Sequence, residues 1–118
     1  MITSGHRFHG YGSLRGVYQR GQSLRGPLVS LKFNQRDPDR PYRVAVVVSR
    51  KVNKSAVVRN RIRRRIYEMV RVAGDSITPG TDLVFTVFDD QIAAVPVPKL
   101  QASIDDLLQK AAKTAAKP

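Results

Sequence analysis

One stretch of the sequence, residues 50–71, limits the possible folds more than any other. It holds nine Lys and Arg side chains against a single acid, Glu68. Its apolar residues recur at the spacing of one helix face and would form a stripe there: Val58, Ile62, Ile66, Met69 and Val70. We therefore predict a helix over residues 55–72 that packs into a core along this stripe and is strongly basic elsewhere.

The polar faces of this helix are rich in arginine, with Arg61 and Arg65 expected as one exposed row. A guanidinium matches a phosphate group with two hydrogen bonds and stacks on bases. Two other interpretations are a solvated charged face and a membrane-surface helix. The first usually mixes Glu with Lys at i,i+4 spacing, and the second favours Lys with bulky aromatics and no core contact. The pattern here favours a nucleic-acid-binding face.

The net charge of +12 is distributed unevenly along the 118 residues. Residues 50–71 account for +8, whereas residues 72–98 hold four Asp and no Lys or Arg. Such clustering favours a binding surface for a polyanion, with the acidic segment predicted to face away from it. The length suits one domain over residues 1–118, with flexible ends at 1–12 and 114–118.

The remaining elements are predicted from hydrophobic spacing and turn residues. A short helix over residues 13–20 would end at Gly21. Residues 28–33 alternate as a half-buried strand, and residues 44–48 form a β-branched run typical of a central strand. We expect these two strands to form a hairpin across the proline-containing turn between them. Residues 83–88 give a further strand, and a last helix begins at Pro98. Its apolar face would contain Leu100, Ile104, Leu107, Leu108 and Ala111.

Several classes of site are disfavoured. The chain has no cysteine, which excludes disulfides and thiolate chemistry. His6 and His9 lie in a glycine-rich segment with no third metal ligand nearby, and adjacent Asp pairs point apart on a helix or strand. We therefore expect no catalytic or metal-binding residues on this chain. A polar beginning and the lack of a long apolar run predict a cytoplasmic protein without a membrane partner.

The sequence around Arg59-Asn60-Arg61 resembles the signature of the bacterial ribonuclease P protein subunit. The likeness includes Lys51, the small apolar step at residues 56–57, the basic residues that follow Ile62, and Glu68 in the next turn. It extends over roughly residues 7–113. The resemblance implies an α+β fold, namely a single-domain two-layer α/β sandwich similar to ribosomal protein S5, with a left-handed βαβ crossover.

The resemblance also implies a function and partners. The subunit assembles with ribonuclease P RNA, and the holoenzyme removes the 5′ leader from precursor tRNA. Catalysis uses Mg²⁺ at the active site of the RNA, no cofactor binds to the protein alone, and DNA is not expected as a partner. The RNA-binding residues would be Arg50, Lys51, Lys54, Arg59, Asn60, Arg61, Arg63, Arg64, Arg65, Tyr67 and Arg71. A groove for the leader would contain Leu14, Tyr18, Ser30 and Lys32.

Two other functions remain open from the sequence. One is a basic structural protein, such as a ribosomal or other RNA-binding protein without an enzymatic role. The other is a nuclease that acts without RNA, which the missing acidic cluster disfavours.

Overall fold

The computed structural model describes residues 17–18, 21–35 and 39–115. In that part of the chain, four strands form one sheet and two long helices pack against it. The strands are β1 (Gln22–Arg25), β2 (Val29–Gln35), β3 (Arg43–Val48) and β4 (Thr81–Val87), and the helices are α1 (Ala56–Val72) and α2 (Val97–Ala115). Short 3-10 turns lie at Gly74–Ser76 and Asp90–Ala93. The predicted mixed α+β domain is thereby confirmed.

The sheet has the order β1-β2-β4-β3. β2 is antiparallel to both β1 and β4, whereas β3 runs parallel to β4. Parallel neighbours need a crossover connection, and α1 provides it. The left-handed sense of this crossover and the likeness to ribosomal protein S5 stay predictions.

The predicted hairpin between β2 and β3 is wrong. β4 lies between these two strands and pairs with both, so β2 and β3 are not neighbours in the sheet. The prediction of a central strand at residues 44–48 is also wrong, because β3 is an edge strand of the described sheet. Its burial alternates, whereas six of the seven residues of β4 are buried. The strand covered on both faces is therefore β4.

β1 forms the hairpin that the sequence did not reveal. It pairs with β2 from Gln22 opposite Phe33 to Arg25 opposite Ser30. The turn is tight at Gly26, whose N–H donates to the Val29 carbonyl at 2.9 Å. A Cβ at Gly26 would lie 2.9 Å from that same oxygen, so this turn needs glycine.

The main core lies between the two helices and one face of the sheet. The predicted stripe of α1 is confirmed, since four of its members are buried and Val58 packs against the core. All five predicted apolar residues of α2 are buried as well. This helix begins at Val97, so Pro98 lies in its first turn rather than at its first residue.

A charged pair joins β3 to β4 on the other face of the sheet. The Arg43 guanidinium donates to both carboxylate oxygens of Asp82, at 2.9 and 2.8 Å. The two residues are direct partners in the strand register, and the Asp82 side chain is only 3% exposed. Hydrogen bonding to Asp82 raises the pKa of Arg43.

The predicted first helix can be followed only in part. Val17 and Tyr18 are helical, and the Gly21 N–H donates to the Val17 carbonyl at 2.7 Å, as expected for the end of a helix. A Cβ on Gly21 would collide with that carbonyl oxygen. The other residues of this predicted helix, and the predicted flexible residues 1–12, lie outside the described residues.

Candidate nucleic-acid interface

The basic helix starts from a turn closed by side chains. The Ser55 hydroxyl accepts a hydrogen bond from the Val58 N–H at 3.3 Å and so caps α1. Asn53 Oδ1 accepts from the Ser55 N–H at 2.8 Å. These bonds satisfy backbone donors that have no partner inside the helix. The direction of α1 relative to the preceding turn is therefore fixed locally.

Arg59 holds the same turn from within the helix. Its Nη1 donates to the carbonyl oxygens of Asn53 and Lys54, each at 2.9 Å. Asn53 in turn donates from Nδ2 to Asp90 at 3.0 Å. The predicted RNA-binding residue Arg59 is thus half-buried and bound to backbone, and it keeps Lys54 at the start of α1.

The expectation that Arg65 is an exposed partner of Arg61 is wrong. Arg65 is half-buried, and its guanidinium donates to the backbone carbonyls of Ile92 and Val95. These carbonyls belong to the segment around the second 3-10 turn, between β4 and α2. Arg65 therefore ties this segment to α1.

Two further basic residues of α1 have partners on the same helix. Arg63 donates to Asn60 Oδ1. Arg71 forms an ion pair with Glu68, with 2.6 Å between Arg71 Nη2 and the carboxylate. The hydrogen bond from Arg71 lowers the pKa of Glu68 and raises that of Arg71. Both side chains of this pair are about half exposed, so screening by solvent keeps the pair weak.

Five cations of the predicted interface have no such partner. Within the described residues their side chains form no hydrogen bond or ion pair, and all five residues are exposed: Arg50, Lys51, Lys54, Arg61 and Arg64. Three precede α1 and two lie on its solvent side. We call them the open cations. Tyr67, expected beside them, packs partly against the core instead.

A groove on the other side of the sheet contains most of the predicted leader-binding residues. Its lining includes Tyr18, Ser30 and Lys32, and its volume is about 410 Å³. Lys32 Nζ donates to the Tyr18 carbonyl at 3.1 Å and lies 5.3 Å from the centre of the Tyr18 ring. The tyrosine is 42% exposed, which leaves ring surface open to solvent. Leu14, the fourth predicted residue, lies outside the described residues.

The groove also contains residues that the sequence reasoning missed. Ser23, Arg25 and Thr86 line it together with the predicted set. The first two belong to β1, which was not predicted. Arg25 lies over the ring of Phe88, with its guanidinium carbon 4.8 Å from the ring centre. The alternating burial of β2 assigns Ser30 and Lys32 to this face. The groove residues on the neighbouring strands follow only when the strand order is known.

The open cations and the groove lie on different sides of the sheet. β2 places Val29, Leu31 and Phe33 in the core beneath the helices, so Ser30 and Lys32 face the opposite way. β3 and β4 run parallel, so their C-terminal residues lie at the same end of the sheet.

The described residues offer neither a metal site nor a membrane-spanning helix. No group of three or more His, Cys, Asp or Glu side chains is arranged to hold a metal ion. Neither described helix has the length and apolar character needed to cross a lipid bilayer.

The family model and the similar proteins point to one family. The family model described as Ribonuclease P matches residues 4–112. A ribonuclease P protein component from a Synechococcus species is 34% identical over 114 residues, which cover 94% of this chain and 85% of that protein. The protein of the same name from Chloroflexus aurantiacus is 38% identical over 97 residues, which cover 82% of this chain and 70% of its own length.

Solved structures show the same fold. The RNase P protein of Staphylococcus aureus superposes with a TM-score of 0.75 at 21% identity, covering 90% of this chain and 94% of that one. The protein from Thermotoga maritima gives a TM-score of 0.72 at 23% identity, with coverages of 82% and 89%. At these identities the likeness shows the fold alone.

Proposed function

Because the chain belongs to the ribonuclease P protein family, and so is the protein component of a tRNA-processing ribonucleoprotein, we propose that it binds two RNAs. The open cations contact the catalytic RNA, and the groove holds the 5′ leader of precursor tRNA. In this proposal, leader removal is catalysed at the RNA with Mg²⁺, and the chain binds and positions. The protein works in the cytoplasm and needs neither membrane nor DNA as a partner.

The observation that carries this proposal is the group of open cations at and before α1. Like charges on neighbouring turns of a helix repel one another by up to a few tenths of a kcal/mol per pair. Arg61 and Arg64 are three residues apart and have no acid partner among the described residues, so an anion at their surface would relieve this repulsion. A phosphate backbone supplies such anions at regular intervals.

The groove supports the second part of the proposal. It combines a half-exposed tyrosine with two cations and three hydroxyl-bearing residues: Tyr18, Arg25, Lys32, Ser23, Ser30 and Thr86. Aromatic and basic side chains together suit unpaired RNA, because bases stack on the rings while cations attract the backbone. A leader is single-stranded, so its bases are free to stack in this way.

A reconstituted cleavage assay tests the whole proposal. The full-length protein is added to the catalytic RNA and precursor tRNA at low Mg²⁺, and removal of the 5′ leader is followed. We expect stimulation by the wild-type protein and much weaker stimulation by the double variant Arg61→Ala/Arg64→Ala. The control Lys99→Ala/Lys113→Ala removes the same charge from exposed positions of α2 and should leave stimulation intact. If the wild-type protein gives no stimulation, the proposal fails in favour of a structural RNA-binding role, whereas cleavage by protein alone would indicate a nuclease.

The leader assignment has its own measurement. Tyr18→Ala should weaken the affinity of the holoenzyme for precursor tRNA by about 1–3 kcal/mol, the usual contribution of one stacked base. Its affinity for mature tRNA, which lacks the leader, should not change. An equal loss for both RNAs would contradict the assignment.

A further inference from the structure

We propose that Arg25, which lies over the ring of Phe88, is a stacking site for a second unpaired base of the leader, beyond the site at Tyr18. The inference rests on the proposed function of the groove. It starts from two exposed side chains that lie far apart in the sequence. Arg25 belongs to β1, Phe88 follows β4, and the two are brought together only by the fold.

The geometry of the pair suits a base. The guanidinium carbon lies 4.8 Å from the ring centre, within the range of a cation–π contact. Phe88 is 41% exposed although it is a large apolar residue. The guanidinium is planar, and Arg25 is exposed, so the group is accessible to a base. Unpaired RNA bases stack on such guanidinium planes as well as on aromatic rings.

The strand register connects this site to the groove. Arg25 lies opposite Ser30, and Ser30 lies opposite Thr86, so these three residues form one row across the outer face. Lys32, which contacts Tyr18, lies two residues further along β2. Two residues span about 7 Å in a strand. That is more than the roughly 3.4 Å between stacked bases of a duplex strand, so two bases bound here would be separated from each other.

Nearby charges define which part of the RNA can approach. Asp89 and Asp90 follow Phe88 directly and would repel a phosphate. Their carboxylates accept hydrogen bonds from the Gln91 N–H at 2.9 Å and from Asn53 Nδ2 at 3.0 Å, respectively. The cations Arg25 and Lys32 lie on the groove side. We infer that the base stacks on Arg25 while the backbone follows the groove.

The test uses the reconstituted holoenzyme and precursor tRNAs whose leaders are lengthened one nucleotide at a time. Arg25→Lys keeps the charge and loses the plane, and Phe88→Leu keeps apolar bulk and loses the ring. We expect Arg25→Lys to weaken binding about five- to tenfold, but only for leaders long enough to reach the site. Phe88→Leu should give a smaller loss with the same length dependence. Arg40→Lys, an exposed arginine outside both surfaces, is the control for the chemical change.

An abasic nucleotide placed at the responsive leader position identifies the contact. It should weaken binding to the wild-type protein as Arg25→Lys does, and it should cause no further loss in that variant. Full additivity of the two changes would overturn the inference. So would an equal loss for mature tRNA, which would assign the contact to the catalytic RNA. If Tyr18→Ala is leader-specific while Arg25→Lys has no effect, the inference fails and the proposed function stands.

Discussion

The arginines of α1 differ in what their guanidinium groups contact. Arg59 and Arg65 donate to backbone carbonyls, whereas Arg61 and Arg64 have no partner among the described residues. The sequence alone could not separate them, because all four lie outside the apolar stripe. Whether an arginine is bound depends on whether a turn with available backbone carbonyls lies within its reach. The position of these turns depends on the path of the chain before and after the helix.

This difference predicts opposite results for Arg61→Ala and Arg65→Ala. The first should reduce the salt dependence of RNA binding by about one unit of slope per lost phosphate contact. Its free energy of unfolding should stay within about 0.5 kcal/mol of the wild type. Arg65→Ala leaves two carbonyls without donors and should cost about 1–3 kcal/mol of stability, with little change in slope. Salt titrations and urea unfolding measure both quantities, and equal slopes for the two variants would contradict the distinction.

Tyr42 predicts a pH dependence. Its side chain is 7% exposed, and burial raises its pKa above the ordinary value of 10.0. The unfolded phenol therefore ionises first, so its contribution to stability is complete below pH 10 and is lost as pH rises further. Tyr42→Phe should show a shallower decline in unfolding free energy between about pH 9 and 11. Urea unfolding across this range measures it, with the exposed Tyr18→Phe as control; identical curves for Tyr42→Phe and wild type would refute the prediction.

At the scale of elements, helices could be predicted and strand neighbours could not. The apolar stripe of α1 is a local signal and is confirmed, and the observed cap at Ser55 is a local feature as well. β1 has no recognisable hydrophobic pattern in the sequence, because it is an edge strand with three exposed residues and only Leu24 partly buried. The order of strands depends on pairing between residues far apart in sequence, so the local pattern wrongly predicts a hairpin of β2 and β3.

The pairing of β3 with β4 can be tested through Asp82→Asn. The substitution leaves the Arg43 guanidinium opposite a neutral amide in a site with little solvent. We expect a loss of roughly 1–3 kcal/mol in unfolding free energy. Asp106→Asn is the matched control, because Asp106 pairs with Lys110 at 3.0 Å with both side chains more than half exposed. That change should cost no more than about 1 kcal/mol, and a similar loss for both variants would show that burial is not the cause.

At the scale of the molecule, the charge has a direction that the sequence indicated only in part. The open cations lie before α1 and in its first half, within the basic segment of the sequence. The acidic segment is not confined to a remote side, however. Asp82 accepts hydrogen bonds from Arg43. Asp90 accepts a hydrogen bond from Asn53, which lies beside the open cations in the sequence. The charge summed along the sequence does not predict this arrangement. β3 and β4 end side by side, so the basic segment after β3 and the acidic segment after β4 lie at the same end of the sheet.

The two surfaces can be mapped with single cysteines, since the chain has none of its own. A photoreactive probe on Ser23→Cys should crosslink to the leader, because that residue lines the groove. A probe on Lys54→Cys should crosslink to the catalytic RNA. Lys113→Cys on α2 should crosslink to neither. Crosslinks from Ser23→Cys to the body of mature tRNA would contradict the arrangement, and so would leader crosslinks from Lys54→Cys.

The central position of β4 has a consequence for how the protein is made. It is the last of the described strands, yet β2 and β3 are joined in the sheet through it. During synthesis, the β1–β2 hairpin is the only described part of the sheet that can form before residues 81–87 emerge from the ribosome. Until then the apolar stripe of α1 has no completed sheet to cover it. In a nascent chain the arginine-rich helix is therefore present before the sheet that covers its apolar stripe. During that interval it is unburied and positively charged beside the ribosomal RNA, and it is not yet held in the fold that binds its own partner.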